Sequence, residues 1–523
     1  MTRDYDNQQT LQQKIIKGAN VLADNVASTL GPRGRNVLLQ EKGKMPFITK
    51  DGVTVAAFVE LEDAFENAAA QIIRQAATET NNNAGDGTTT ATVLARAILN
   101  ESQKYVISGV SPIELQRGVD LACKGVTEAL HGFSRPVKKI ADIEHVATIS
   151  ANNDASIGKL IAMAVDRIGQ DGSITIEESR SLETSLDVTE GLRFDSGWAA
   201  SAFITDERRS VMHHDDPMFF VTDHKITTVD QILPILEMIA REGRPLIIVA
   251  EDIDGQALAA IIMNAIRGTM KIAAIKAPFY GEERRNILDD IAVSTGATFI
   301  TRESGKKLKE VTMGDFGAAK FVESTKYATT VVGGKADYEE VEKRIESLKS
   351  LIAETDSIVE CKRIQERIVR LSSGVAVIRV GGSTEVEMTE RKHRIEDALE
   401  AVRSAQEEGI VAGGGTALLY ASRDLNIDAP NHEQQLGVSI VKEACKAPFK
   451  QMASNAGKSP DVLLNDILQK EVGWGWDFRE DRLTNLLEEG IIDPVKVTRT
   501  ALQNAASCAG TLITTNFGII QTG

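Results

Sequence analysis

The feature that most constrains this chain is a change of periodicity that happens twice. Over residues 11–132, apolar residues recur at helical spacing, as in Ala68-Ala69-Ala70-Gln71-Ile72-Ile73 and again from Ala91 through Leu99. Ser111-Pro112 puts a proline early in another helix, where its missing N–H does no harm. Between residues 191 and 374 the pattern is α/β. Residues 245–250 form a short apolar strand, 255–267 a helix and 271–275 a second strand, a βαβ unit that favours parallel pairing. After Gly415 the helical character returns. A chain whose two ends match and whose middle differs implies a nested domain, with both termini in one body. No repeat of 20–50 residues occurs, which excludes solenoids and propellers.

The junctions have their own signatures. Helix is predicted within 140–169, followed by an alternating, half-buried strand over 172–177. Residues 337–371 read as a charged helical hairpin and 375–380 as a strand. A long helix spans 388–409, with the apolar stripe Ile395, Ala398, Val402 and Ala405 stepping by three and four.

Composition narrows the partners. The 523 residues carry a net charge of −16, so phosphate backbones and anionic membranes repel the chain and nucleic acid is not an expected partner. Hydrophobic residues at 42% supply several cores, and no apolar run has the 18 residues that a membrane span needs. Cys123, Cys361, Cys445 and Cys508 are too far apart for a CxxC motif, and no HExxH occurs. The first 13 residues are polar, without a signal-peptide core. The expected address is the cytoplasm.

Four short segments carry possible chemistry. Gly85-Asp86-Gly87-Thr88-Thr89-Thr90 stands directly before a helix. There, glycines allow close backbone approach, helix N–H groups face an anion, and Asp86 has the chemistry for magnesium. The plainer reading is a capped turn. Thr29-Leu30-Gly31-Pro32 ends the first long helix. Lys50-Asp51-Gly52-Val53-Thr54 reads as a hairpin-type turn whose Asp51 has the chemistry to serve a metal or a water. Gly413-Gly414-Gly415 fits a backbone passing close to a ligand, or a flexible linker. Asp397 lies one step off its helix stripe, as a solvated charge or as a carboxylate polarising a water. Gly457-Lys458-Ser459 mimics the end of a Walker loop, but Met452 occupies the position of its first glycine.

Taken together, Thr29-Leu30-Gly31-Pro32 and the segments 48–53, 84–94, 394–399, 408–415 and 493–499 resemble group I (GroEL-type) chaperonins, in the same order and across nearly the whole chain. The resemblance implies a multi-domain fold, α/β and all-α. Its helical equatorial ATPase domain would comprise 1–132 and 409–523. A small α/β intermediate hinge would comprise 133–189 and 375–408, and an α/β apical domain 190–374. It also implies ATP/ADP, Mg2+ and K+ as ligands. Thr29, Leu30, Gly31 and Pro32 would line the nucleotide pocket. Lys50 would sit near the phosphates and the monovalent cation, and Asp86 would bind magnesium. Gly87, Thr88, Thr89 and Thr90 would hold phosphates. Gly414 and Asp493 would hold the ribose and base side, with Asp477 near adenine. Asp397 would activate the hydrolytic water, with Asp51 beside it.

The same resemblance implies an apical apolar groove for non-native client proteins and for a co-chaperonin lid. Trp198, Phe203, Leu233, Leu236, Leu258, Ile262 and Met263 stand at its positions. The implied assembly is a homo-oligomeric ring of seven subunits. The basic side chain of the ring–ring contact is kept as Lys450, but its acidic partner is Ser459, so ring number stays open. Asp477-Phe478-Arg479 stands where the family often has Asn and small residues, and Ala202 replaces an apical aromatic. Two rival readings are a folding-inactive paralogue and a metabolic phosphotransferase. The retained Asp51, Asp86 and Asp397 oppose the first, and the absence of a Walker or kinase motif opposes the second.

Overall fold

A computed structural model of the chain describes residues 2–522 apart from 42, 44, 45, 170–172, 180, 337, 356 and 373. Contacts divide the chain into two compact units. The first comprises Met1–Met163, Arg180–Leu182 and Gly381–Gly523, and the second Ala164–Ser179 and Glu183–Val380. Both termini therefore lie in one unit, and the other is inserted into it.

The first unit is built on helices. Gln8–Ala27, Ala64–Ala84, Thr88–Ile107, Pro112–Phe133, His432–Ala444 and Val495–Thr514 pack around Leu22, Ile73, Leu94, Leu115, Val441 and Leu502. Small residues let the helix axes come close. A Cβ on Gly118 would stand 2.0 Å from the Gln434 carbonyl oxygen, and one on Gly437 would stand 2.4 Å from that of Leu115. Pro112 opens its helix, as its position in the sequence predicts. A second cluster, formed by Leu419, Tyr420, Phe449, Met452, Leu464 and Phe478, underlies the hairpin Trp474–Asp477/Arg482–Asn485.

Two strands lie inside the segment read as mainly helical, and a third precedes it. Thr2–Asn7 pairs antiparallel with Phe517–Thr522, placing Tyr5 opposite Ile519. Val37–Leu39 pairs with Phe47–Thr49. The first of these is held by a partner at the other end of the chain, so local periodicity carries no trace of it. The reading of residues 50–54 as a hairpin turn is corrected as well. Residues 50–54 follow the paired strands, and Asp51 caps the helix Gly52–Phe58, its carboxylate accepting from the N–H groups of Val53 and Thr54.

The second unit holds a sheet of nine strands among the described residues. Its path runs Ser173–Glu178, Gly374–Val380, Ser185–Phe194, Thr329–Gly334, Gly317–Ser324, Met218–Ile226, Leu246–Ile253 and Ile272–Lys276, with Met212–Asp215 beside Gly317–Ser324. The expected βαβ unit is there. Leu246 pairs with Ile272 through to Ala250 with Lys276, in parallel, across the helix Gly255–Ile266. Ser173–Glu178 stands at the end of the sheet path, parallel to Gly374–Val380, yet it is buried on both faces through Ile176 rather than half-buried. Residue 172 of that prediction lies outside the described residues, as does residue 337 of the helical hairpin, which is Tyr338–Glu354 with Ile358–Ser372. Phe219, Phe220, Ile247, Ile248, Ile275 and Ile291 centre the core. Among the described residues, no helix is long and apolar enough to cross a membrane.

Candidate functional site

Within the first unit, the motif segments named above meet at one cavity of about 550 Å³, a size ordinary for a small-molecule site. Thr29, Leu30, Gly31, Pro32, Lys50, Asp51, Asp86, Gly87, Thr88, Thr89, Thr90, Asp397, Gly414, Asp477 and Asp493 all line it. These are all of the residues that the resemblance assigns to nucleotide, metal and water.

One wall is polar. Gly85 and Gly87 both take left-handed backbone, φ +72° and +86°, and end one helix where the next begins at Thr88. No side chain caps the Thr88–Ile107 helix, so its first N–H groups are available to an anion. Gly52 is required here: a Cβ would stand 2.4 Å from Thr89 Oγ1 and 2.9 Å from Thr88 Oγ1. Thr29 and Thr89 hydroxyls lie 3.3 Å apart. Lys50 Nζ donates to the Gly31 carbonyl at 3.0 Å, and burial lowers its pKa.

Carboxylates concentrate on the same wall. Asp86 Oδ1 accepts from Gly87 N–H at 2.5 Å and Oδ2 from the Ser150 hydroxyl at 2.8 Å. Burial nevertheless pushes its pKa up, and the Asp51 charge adds to the rise. Burial, with the charge of Asp86 second, pushes Asp493 up to about 7. Among the described residues, no three His, Cys, Asp or Glu side chains form a protein-only metal cage. Magnesium seldom uses one. It takes one or two carboxylates together with substrate phosphates and water, so Asp86 and its neighbours fit that ion.

The other wall is apolar, made by Leu418, Pro448, Met452, Trp476, Phe478 and Ile491. Glycines again set the spacing. A Cβ on Gly31 would meet Met452 Cγ at 2.7 Å, and one on Gly415 would meet Phe449 N at 3.0 Å. The Gly413-Gly414-Gly415 run is thus a close-packed turn rather than a linker.

Asp397 arrives on the helix Glu385–Glu408, which Thr384 caps. Its predicted stripe, Ile395, Ala398, Val402 and Ala405, is buried, so Asp397, one step off it, is half-buried on the cavity instead of being a solvated charge. The helix is docked at several points. Ser404 Oγ donates to the Ala84 carbonyl at 3.0 Å, and Lys496 pairs with Glu407 at 2.6 Å. Arg499 grips Glu408 through two nitrogens.

Sequence reasoning missed Ser150, His145 and the left-handed pair Asn152 and Asn153, all on the cavity. Ser150 carries no local signal, whereas Asn-Asn after a helix is a recognisable turn. The Walker-like Gly457-Lys458-Ser459 is off the cavity, and Lys458 is paired with Asp481 at 2.5 Å.

In the second unit, the seven groove residues do not share one surface. Phe203 at 3% exposure and Leu236 at 7% belong to the core, which corrects their assignment to an open groove. Leu233 at 44% and Met263 at 46% are exposed, and Trp198, Leu258 and Ile262 are half-buried against the core. Helix geometry explains the split. In Val229–Glu242 the inward stripe is Ile232, Ile235, Leu236 and Ile239, so Leu233 points outward. In Gly255–Ile266 the inward residues are Ala257 and Ile261.

Comparison with known proteins agrees with this fold. Over 99% of each chain it matches the chaperonin gp146 from the bacteriophage EL 2 (Pseudomonas aeruginosa), solved in the presence of ATP-BeFx. The TM-score is 0.68 for one crystal form and 0.62 for the other, each at 21% identity. At that identity the likeness speaks for the fold. Residues 22–522 match the TCP-1/cpn60 chaperonin family, the family the motifs pointed to, and the chain belongs to it.

Proposed function

We propose that the chain is an ATP-hydrolysing chaperonin subunit that works in a homo-oligomeric ring, captures non-native proteins on apolar surfaces and promotes their folding. The observation that carries this reading is the convergence of Asp51, Asp86, Asp397 and Asp493 with an uncapped helix N-terminus and Lys50 on one cavity. That set suits a triphosphate with its metal, and gp146, of the same fold, was solved with ATP-BeFx.

In this reading the N–H groups and hydroxyls of Thr88, Thr89 and Thr90 hold phosphate oxygens, and Lys50 offsets their charge, with potassium nearby. Asp86 holds magnesium, which supplies charge neutralisation at the phosphates. Asp397 orients a water and accepts its proton as the water oxygen attacks the terminal phosphorus and the bridging oxygen leaves, with Asp51 assisting. The chain acts as three domains, equatorial, hinge and apical, in the cytoplasm. Hinge movement couples the cavity to the apical surface, a population shift that releases the client under a co-chaperonin lid. Of the seven groove residues, Leu233 and Met263 are exposed to clients, and seven subunits sum many weak contacts.

Steady-state ATPase of wild type and Asp397→Ala tests the chemistry. Loss of a general base predicts a fall in kcat of about 100-fold or more with nucleotide binding kept. Equal rates would remove Asp397 from its role. Negative-stain images with and without ATP test the assembly, and an oligomer of two or four subunits would sink the ring.

A further inference from the structure

Two segments of the cavity lining are joined by a side chain that is not itself part of the lining. The loop 29–32 and the turn 477–480 both line the cavity. Each is anchored on its own side. Asn455 Nδ2 donates to the carbonyls of Ala27 and Leu30, both at 2.9 Å, and Lys50 Nζ donates to that of Gly31 at 3.0 Å. In the turn, Asp477 Oδ1 accepts from the N–H groups of Arg479 at 2.8 Å and Glu480 at 3.2 Å. The buried Phe478 ring lies 5.5 Å from that of Phe449. Arg33 connects the two segments. Its Nε donates to the Phe478 carbonyl at 3.1 Å and its Nη2 to the Arg479 carbonyl at 3.0 Å. Among the described residues, these are the hydrogen bonds that link the loop to the turn. Arg33 is exposed and lies outside the lining.

A surface arginine often serves only local order, and two features set this one apart. It bridges residues 445 and 446 positions apart in the sequence, so it is no local cap. The carbonyls it holds belong to the turn that carries Phe478 on the apolar wall, the kind of surface that suits a flat base. Leu30 also packs against the cluster of Phe478. An apolar contact can slide, however, whereas a planar guanidinium with two bonds fixes both distance and angle. Holding loop and turn in place before a ligand arrives removes their ordering cost from the binding step. That gain shows mainly as slower dissociation. We propose that Arg33 is a positioning residue that clamps the loop 29–32 to the turn 477–480 and so sets how long a nucleotide stays bound. The clamp acts on the base-bearing part of the ligand, because Lys50 and the helix Thr88–Ile107 are held without it. This deepens the nucleotide reading of the cavity and rests on it.

Arg33→Gln and Arg33→Lys in the full-length protein test the clamp. Calorimetry with ADP and with inorganic tripolyphosphate, each with magnesium, gives the affinities, and filter binding of radiolabelled ADP gives the release rate. Losing both bonds in Arg33→Gln should speed ADP release and raise its Kd by about tenfold. A lysine keeps the charge but reaches one carbonyl with its single nitrogen, so Arg33→Lys should give about threefold. Tripolyphosphate has no base, and its Kd should stay within about twofold of wild type in both variants. A nucleotide-free melt checks that each variant is folded, and Arg33→Lys carries the test alone if Arg33→Gln is not. ADP release and Kd unchanged in the folded variants would overturn the proposal while leaving the nucleotide site standing. So would a loss for tripolyphosphate equal to that for ADP, which would make Arg33 a source of positive charge rather than a clamp. If wild type did not bind ADP, the site reading itself would fall, and this inference with it.

Discussion

Gly85→Ala separates the cavity from the helix that brings Asp397 to it. Gly85 sits at φ +72°, and a Cβ there would stand 2.0 Å from Glu400 Cβ, 2.8 Å from its Cγ and 3.3 Å from its Cα. Carbon atoms settle at about 3.5–4.0 Å, so the Glu385–Glu408 helix must retreat by about 1.5–2 Å. The left-handed backbone costs an alanine roughly 1–2 kcal/mol. Breaking the Ser404–Ala84 hydrogen bond adds about 1 kcal/mol. Both costs are too small to unfold a chain of this size. Asp397 lies one turn from Glu400 and moves with it. A misplacement of about 1 Å costs on the order of 100-fold in rate, so kcat should fall at least that far while the nucleotide Kd stays near wild type. Turnover, calorimetric Kd and a thermal melt on the same preparation decide the matter. A folded variant with wild-type kcat would refute the idea that close docking of this helix positions Asp397, and so would a variant whose loss lies wholly in Kd. Ser404→Ala removes the hydrogen bond without the clash and should give a smaller fall in the same direction.

Three further outcomes follow from the geometry. Leu233→Ser with Met263→Ser should reduce capture of a denatured protein and leave the melting temperature in place, whereas Phe203→Ala should cost about 3–5 kcal/mol of stability in a denaturant titration. Burial lowers His214 from 6.5 to about 4, with the His213 and Lys271 charges contributing. The unfolded chain therefore binds the extra proton between those values, and stability is lost as pH falls through that window. His214→Gln should flatten this part of a urea-midpoint profile, and an unchanged slope would refute the assignment. Asp493 has the opposite sign. Raised from 3.8 to about 7, it holds a proton in the fold that the unfolded chain releases, so stability falls as pH rises from about 4 to about 7. In nucleotide-free protein at pH 8, Asp493→Asn should melt higher than wild type, and a lower melt would count against the burial argument.

The features that could be read from the sequence are those whose cause is local. The stripe Ile395, Ala398, Val402 and Ala405 repeats along one helix, and the strand–helix–strand run of 246–276 is bounded by its own turn residues, so both are visible without any partner. Thr2–Asn7 is not visible, because its pairing partner is Phe517–Thr522 and its composition is polar. Phe203 and Leu236 were misplaced for a related reason. Helical spacing shows that residues share a face but not which face meets the core, and only the packed sheet decides that Leu236 turns in and Leu233 out. Gly85, Gly87 and the Gly413-Gly414-Gly415 run were legible as places of close approach, Gly52 only as part of a turn, and the counterparts of none were legible. That Gly85 faces Glu400, or that Gly52 faces Thr88 and Thr89, is a fact of tertiary contact. Ser150 is the clearest omission, since a serine at a helix end has many ordinary uses and only its hydrogen bond to Asp86 distinguishes it.

The carboxylates also bear on whether the cavity turns over its ligand or is an inert remnant. Asp86 and Asp493 are each raised in pKa by burial, and Asp86 adds to the rise at Asp493, as Asp51 does at Asp86. Such a cluster costs stability, and the donors at hand, Gly87 N–H and the Ser150 hydroxyl, do not bring Asp86 back to its ordinary range. A chain kept only for assembly would gain by an amide at either position, which preserves shape and removes the repulsion. Asp397 belongs to the same argument. A further acid on the same cavity wall adds to the charge. The combination is favourable when a divalent cation and a polyphosphate enter together, because the cation offsets the acids while Lys50 and the Thr88 helix N-terminus offset the phosphates. The electrostatic cost in the free protein is thus the strongest physical argument against the folding-inactive reading.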